Sequence, residues 1–203
     1  GQGITNLVFM GMGEPLANTA NLYPALEILI DPECFDFSKQ HVTVSTCGLA
    51  DEIQKFGDRT NAKLAISLNA TTDVVRSQIM PINKKFPLDK LLSACRSMKL
   101  ANRDRITFEY VMLKDVNDTM DDAKRLAKLL ANMRAKINLL PFNEYPKSHF
   151  KRPLDAQIIS FQNYLINRGI VTVIRKSRGT DICGACGQLV VCRDVRPDVS
   201  TIR

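Results

Sequence analysis

Along the chain, short runs rich in Val, Ile and Phe alternate with stretches whose apolar residues recur every three or four positions. The runs Ile4–Met10, His41–Ser45, Lys63–Leu68, Ile106–Leu113, Lys136–Leu140 and Ile170–Arg175 read as six strands, because apolar, β-branched runs of this length bounded by turn residues suit a buried sheet. Helical periodicity covers Leu22–Ile30, Leu49–Lys55, Leu88–Leu100, Met120–Met133 and Ala156–Asn167. The last two open beside Asp121, Asp122 and Asp155, where carboxylates complement the helix dipole. Strand and helix in regular alternation predict an α/β fold of parallel βα units, open or closed into a barrel. No internal repeat and no low-complexity linker divides the pattern, so one domain is expected.

Polar and glycine-bearing segments fall just past the strand ends. They are Gly11–Pro15, Ser45–Gly48, Ser67–Asn69, Asn117–Asp118, Pro141–Asn143 and the stretch from Arg178 to Gly187. In parallel β/α sheets ligands gather at the carboxyl ends of the strands, so these segments are expected to face one shared mouth. Taken singly, each has a plain structural use. Gly13-Glu14-Pro15 makes an ordinary tight turn; Ser45 and Thr46 suit the N-cap of the helix near Leu49; Ser67 and Asn69 suit a strand-ending turn.

Charge and cysteine content refine this picture modestly. Lys and Arg number 28 against 21 Asp and Glu, a net +7 that favours polyanionic partners such as RNA without requiring one. No apolar run reaches the length of about 18 residues that a membrane span needs, and the first residues carry no basic, cleavable leader, so a cytoplasmic protein with no membrane association is expected. The chain lacks an initiator Met and enters a strand pattern almost at once, which reads as truncation before residue 1. Cys183 and Cys186, followed by Cys192, could form half a zinc site, yet only His41 and His149 exist and no second CxxC follows. A structural zinc is not expected.

In chain order, the runs Val8–Leu16, Ala65–Leu68, Pro81–Lys85, Thr107–Leu113, Asn138–Asn143, Arg178–Ile182 and Ala185–Leu189 carry a joint signal that none has alone. On them the chain resembles the radical S-adenosylmethionine methyltransferases that act on carbon-2 of adenine in 23S ribosomal RNA and in some tRNAs. The likeness runs from Ile4 to about Leu189. It implies a partial β/α barrel of the radical S-adenosylmethionine type over residues 1–189, followed by a tail over 190–203.

The resemblance further implies that Gly13, Glu14, Ser45, Ser67, Leu68, Asn69 and Asn143 contact S-adenosyl-L-methionine, although the family usually has His where this chain has Asn69. It implies that Cys186 is the methyl-carrying cysteine; a small buried hydrophobe is that residue's ordinary alternative, and Cys183 and Cys192 are read as incidental. The family also uses a 4Fe-4S cluster on a CxxxCxxC loop and an external electron donor. No such spacing occurs among these six cysteines, so the cluster ligands, an upstream resolving cysteine and an N-terminal RNA-binding domain are expected outside this chain. Competing readings are a carbon-8 methyltransferase of the antibiotic-resistance branch, a non-catalytic RNA- or cofactor-binding remnant, and a phosphate-binding barrel enzyme, the last lacking a glycine-rich phosphate loop.

Overall fold

The computed structural model describes residues 3–145 and 148–175. Six strands form one sheet: β1 (Leu7–Phe9), β2 (Val42–Thr46), β3 (Lys63–Ser67), β4 (Ile106–Met112), β5 (Ala135–Pro141) and β6 (Val171–Ile174). Every neighbouring pair is parallel and the spatial order is the chain order, β1 to β6. A sheet that advances one strand at a time through right-handed crossovers places all its helices on one face, as in a barrel. The helices are α1 (Thr19–Ile30), α2 (Ala50–Arg59), α3 (Asp73–Ile79), α4 (Leu88–Ser97), α5 (Met120–Leu129) and α6 (Asp155–Asn167).

Strand side chains alternate between the two faces, so register assigns each residue to one of them. Thr46, Ile66, Phe108, Ile137 and Thr172 form one row across β2–β6, on the helix-covered face. Its apolar members join Ile53, Phe56, Leu91, Leu126, Phe161 and Leu165 in a single core. The next residues along β3–β6, Ser67, Glu109, Asn138 and Val173, form a row on the opposite face. Ser45, Ala65, Thr107, Lys136 and Val171 form another. None of the residues on this second face, the bare face, belongs to that core; Ala65, Thr107 and Asn138 at its centre are buried, while Val8, Val171 and Val173 stand exposed on its two edge strands.

All six expected strands are present, with β1 cut to three residues because it is an edge that pairs only with β2. Helix α1 starts earlier than its apolar pattern, at Thr19; α4 and α5 stop short of Leu100 and Met133. Helix α3 was not expected at all. Thr72 caps it, its side chain accepting from Val75 N, and its one buried residue is Arg76, so it presents no apolar stripe to read.

Candidate functional site

The site is built where the carboxyl ends of β1–β5 meet the bare face. Gly13 has φ +93°, a conformation other residues rarely adopt, and a Cβ there would meet nothing beyond its chain neighbours within 4 Å. It therefore serves the turn itself, which delivers Glu14 toward β2. One Glu14 carboxylate oxygen, Oε1, accepts from Leu16 N at 3.0 Å and caps the 3-10 turn Pro15–Ala17. The other, Oε2, accepts from Cys47 N at 2.7 Å and ties the β1 loop to the β2 loop. A carboxylate offers about four lone-pair directions, so Glu14 keeps capacity for an ammonium group.

Ser45 and Thr46, alike in sequence, part company in the sheet. Thr46 points to the helix side, where its hydroxyl accepts from Gly48 N at 3.1 Å and Leu49 N at 3.5 Å, taking the turn role at the start of α2. Ser45 lies on the bare face, as does Ser67 one strand over. Leu68 is fully buried; its main chain joins the rim, with Leu68 N donating to Glu109 O at 2.9 Å.

Asn69 has φ +57°, in the left-handed region that Asn tolerates better than most residues. Its side chain works across the strand gap: Oδ1 accepts from Val111 N at 2.9 Å and Nδ2 donates to Met80 Sδ at 3.2 Å. Asn69 O accepts from Asn117 Nδ2 at 2.7 Å. Asn117 is wholly buried, gives its second amide hydrogen to Val111 O, and accepts from Leu113 N at Oδ1. Asn69 thus sits in a brace between the β3 and β4 ends. Asn143, after β5, lines a cleft of about 460 Å³ with Pro141, Arg152, Asp155, Ile174 and Arg175. Glu14, Ser45, Ser67 and Asn69 do not line that cleft. Cys183, Cys186 and Cys192 lie outside the described residues.

Three further residues shape this region: Glu109, within the run Thr107–Leu113, Asn117, in the strand-end segment Asn117–Asp118, and Arg76, which no motif marks. Glu109 projects from β4 onto the bare face in register with Ser67 and Asn138. Burial raises its carboxyl above the ordinary range, opposed by a hydrogen bond from Asn138 and by the charges of Arg175 and Lys136. Asn117 and Arg76 are fully buried, which composition alone does not announce. Period-two alternation on β4 could have found Glu109, since Ile106, Phe108, Tyr110 and Met112 share the other face.

Burial, and then the hydrogen bond and charge of Glu14, push the Cys47 thiol up to about 12. It is a neutral thiol at physiological pH and a poor nucleophile. Burial does the same to Cys95, also to about 12. Cys34 is exposed, and among the described residues no group of three His, Cys, Asp or Glu side chains is placed to hold a metal ion. Among them, too, no helix is long and apolar enough to cross a membrane.

Comparison with known proteins gives this geometry its context. The chain is 53% identical over 186 residues to the dual-specificity RNA methyltransferase RlmN of Anaeromyxobacter dehalogenans, covering 92% of this chain and 50% of the relative. It is 52% identical over 187 residues to the protein of that name from Pelobacter propionicus, covering 92% and 54%. Over 92% of its residues the chain is similar to the RlmN proteins. It spans about half the length of the curated RlmN relatives it matches. A crystal structure of a radical SAM methyltransferase from Sphaerobacter thermophilus superposes with a TM-score of 0.86 at 39% identity, over 92% of this chain and 55% of that one. A domain of a pyruvate-formate lyase-activating enzyme from Bacteroides vulgatus shares the fold, with a TM-score of 0.65 at 19% identity over 84% of this chain and 99% of the domain. No family model matches.

Proposed function

We propose that this chain forms the cofactor-binding face of a cytoplasmic radical S-adenosylmethionine methyltransferase that modifies carbon-2 of adenine in 23S rRNA and some tRNAs. The observation that carries the reading is the bare face: Ser45, Ser67 and Glu109 lie on the one side of the sheet that contributes nothing to the core, and Glu14 is tied to the β2 end at its rim. These residues suit S-adenosylmethionine. Glu14 accepts from the ammonium group, the hydroxyls of Ser45 and Ser67 hydrogen-bond its polar atoms, and the amide of Asn143 reads the adenine edge. Asn69 contributes through its main chain and through the brace that holds the rim.

When bound, the cofactor supplies both the methyl group and the radical needed at an electron-poor ring carbon, which lies between two nitrogens and resists polar methylation. The residues here orient it and keep the neighbouring Cys47 thiol protonated, so that it does not compete for the methyl group. A 4Fe-4S cluster does not fit the described residues: their thiols are Cys34, Cys47 and Cys95, and they form no cluster of ligands. Its ligands, and the surface meeting the electron donor, belong elsewhere in the full-length protein. The net +7 charge suits an RNA partner.

Cys186 is assigned as the methyl carrier, and the test uses the full-length protein with its cluster intact. Cys186→Ala is expected to abolish adenine methylation, read by mass spectrometry of digested RNA, while Cys183→Ala keeps it. A methyl group on Cys183 or Cys192, with Cys186 replaceable, contradicts the assignment. A product methylated at carbon-8 in place of carbon-2 replaces this reading with the resistance-branch activity.

A further inference from the structure

Arg76 is fully buried, yet every partner of its guanidinium is a neutral oxygen. Nε donates to Leu68 O at 3.1 Å, and Nη1 to Asn83 Oδ1 at 2.9 Å and Phe86 O at 3.3 Å. Nη2 donates to Cys47 O at 3.0 Å and Ser67 O at 3.2 Å. A guanidinium has five N–H groups, and five bonds use them all. No carboxylate touches the guanidinium; Asp73 is a counter-charge that reaches it through Asn83, and burying a charge so indirectly paired is costly. An apolar side chain in its place could not fix three strand-end carbonyls in one plane.

Those carbonyls belong to the site. Cys47 receives Arg76 on its carbonyl and Glu14 on its N–H, so the rim runs unbroken from the β1 loop through β2 to β3. Ser67 O and Leu68 O carry it on toward Asn69. Gly48 leaves room for the clamp: a Cβ there would lie 3.1 Å from Arg76 Nη2 and 3.2 Å from Leu91, at φ +107°. Asn83 holds the guanidinium from behind, since its Nδ2 donates to Asp73 Oδ1 at 3.0 Å and Ser77 Oγ at 2.8 Å, which turns Oδ1 toward Arg76. This gives the Pro81–Lys85 run a purpose that the cofactor contacts do not supply.

We propose that Arg76, oriented by Asn83, is the positioning residue of the cofactor site, setting the β2 and β3 ends so that Glu14, Ser45 and Ser67 converge on one ligand. The inference rests on the reading that this rim binds S-adenosylmethionine. Lysine cannot replace the planar fork, because a single ammonium reaches at most three acceptors.

The test compares Arg76→Lys with Leu91→Ala, which loosens the same spot against Gly48 and leaves the carbonyls alone. Thermal midpoint and affinity for S-adenosylhomocysteine by calorimetry are measured on the 203-residue chain. Arg76→Lys is expected to weaken binding about tenfold or more, as small misplacements of binding groups do, while Leu91→Ala loses a similar midpoint and stays within about twofold of wild type. Equal affinity in the two variants at equal midpoint overturns the proposal. Should Arg76→Lys not fold, Asn83→Ala keeps the guanidinium and removes its orienting acceptor. It is expected to weaken binding in the same direction, and wild-type affinity there overturns the proposal. A wild-type chain that binds no S-adenosylhomocysteine defeats the functional reading; the clamp is then judged by amide hydrogen exchange at residues 46–49 and 67–70, where unchanged rates in Arg76→Lys or Asn83→Ala overturn it.

Discussion

Phe108 and Glu109 are neighbours on β4 and live in different worlds. Phe108 is completely buried among helix side chains, in a row with Ile66 and Ile137. Glu109 faces the bare side, in a row with Ser67 and Asn138, beside the charges of Lys136 and Arg175. One face of the sheet makes the fold and the other is free to make chemistry. The rim joins them: Arg76 and Asn117 are buried like core residues, yet their hydrogen bonds end on the segments that carry the candidate contacts.

Substitutions can break that contrast or sharpen it. Phe108→Ala is expected to cost about 3–5 kcal/mol by leaving a cavity, measured by urea unfolding, with ligand affinity of the remaining folded protein little changed. A large loss of affinity at low stability cost would mean that the two faces are not separable. Asn117→Ala comes next, at about 2–4 kcal/mol, because it strands Asn69 O, Val111 O and Leu113 N without their partner. Unlike Phe108→Ala it is expected to weaken ligand binding as well, since the β3 end loses its brace.

Glu109→Gln has the smallest effect on stability and the opposite sign. Its carboxyl is raised above the ordinary value of 4.5, so the folded state disfavours the charged form. That cost is present at neutral pH and disappears once both folded and unfolded chains are protonated. The thermal midpoint of Glu109→Gln is therefore expected to exceed wild type at pH 7, with the gain shrinking to nothing as pH falls below about 4. A loss of stability at pH 7 would show that Arg175 and Lys136 stabilise the carboxylate more than burial penalises it.

Much of this organisation is legible in the sequence because strands of a sheet covered by helices need apolar runs, and helices between them need an apolar stripe. The six strands and the polar segments after them follow from that. The separation of Ser45 from Thr46 does not, since both residues suit a helix start and only the register of β2 against β3 assigns their faces. Helix α3 escapes the pattern because it is seven residues long and buries an arginine in place of an apolar stripe. Arg76 escapes for the same reason, and Asn117, legible as a strand-end polar residue, gives no sign of its complete burial: charged and polar side chains read as surface until a fold supplies every partner. Asn69 illustrates the reverse, a residue legible as a contact whose side chain bonds to β4.

The central claim is that the ligand lies on the bare face at the carboxyl rim. Titration of the isotopically labelled 203-residue chain with S-adenosylhomocysteine, followed by amide chemical shifts, tests it directly. The account predicts that the largest shifts fall on Gly13, Ser45, Ser67 and Glu109, with the solvent sides of α2, α4 and α5 unmoved. Saturable shifts confined to the helices, with those four amides unchanged, would contradict it.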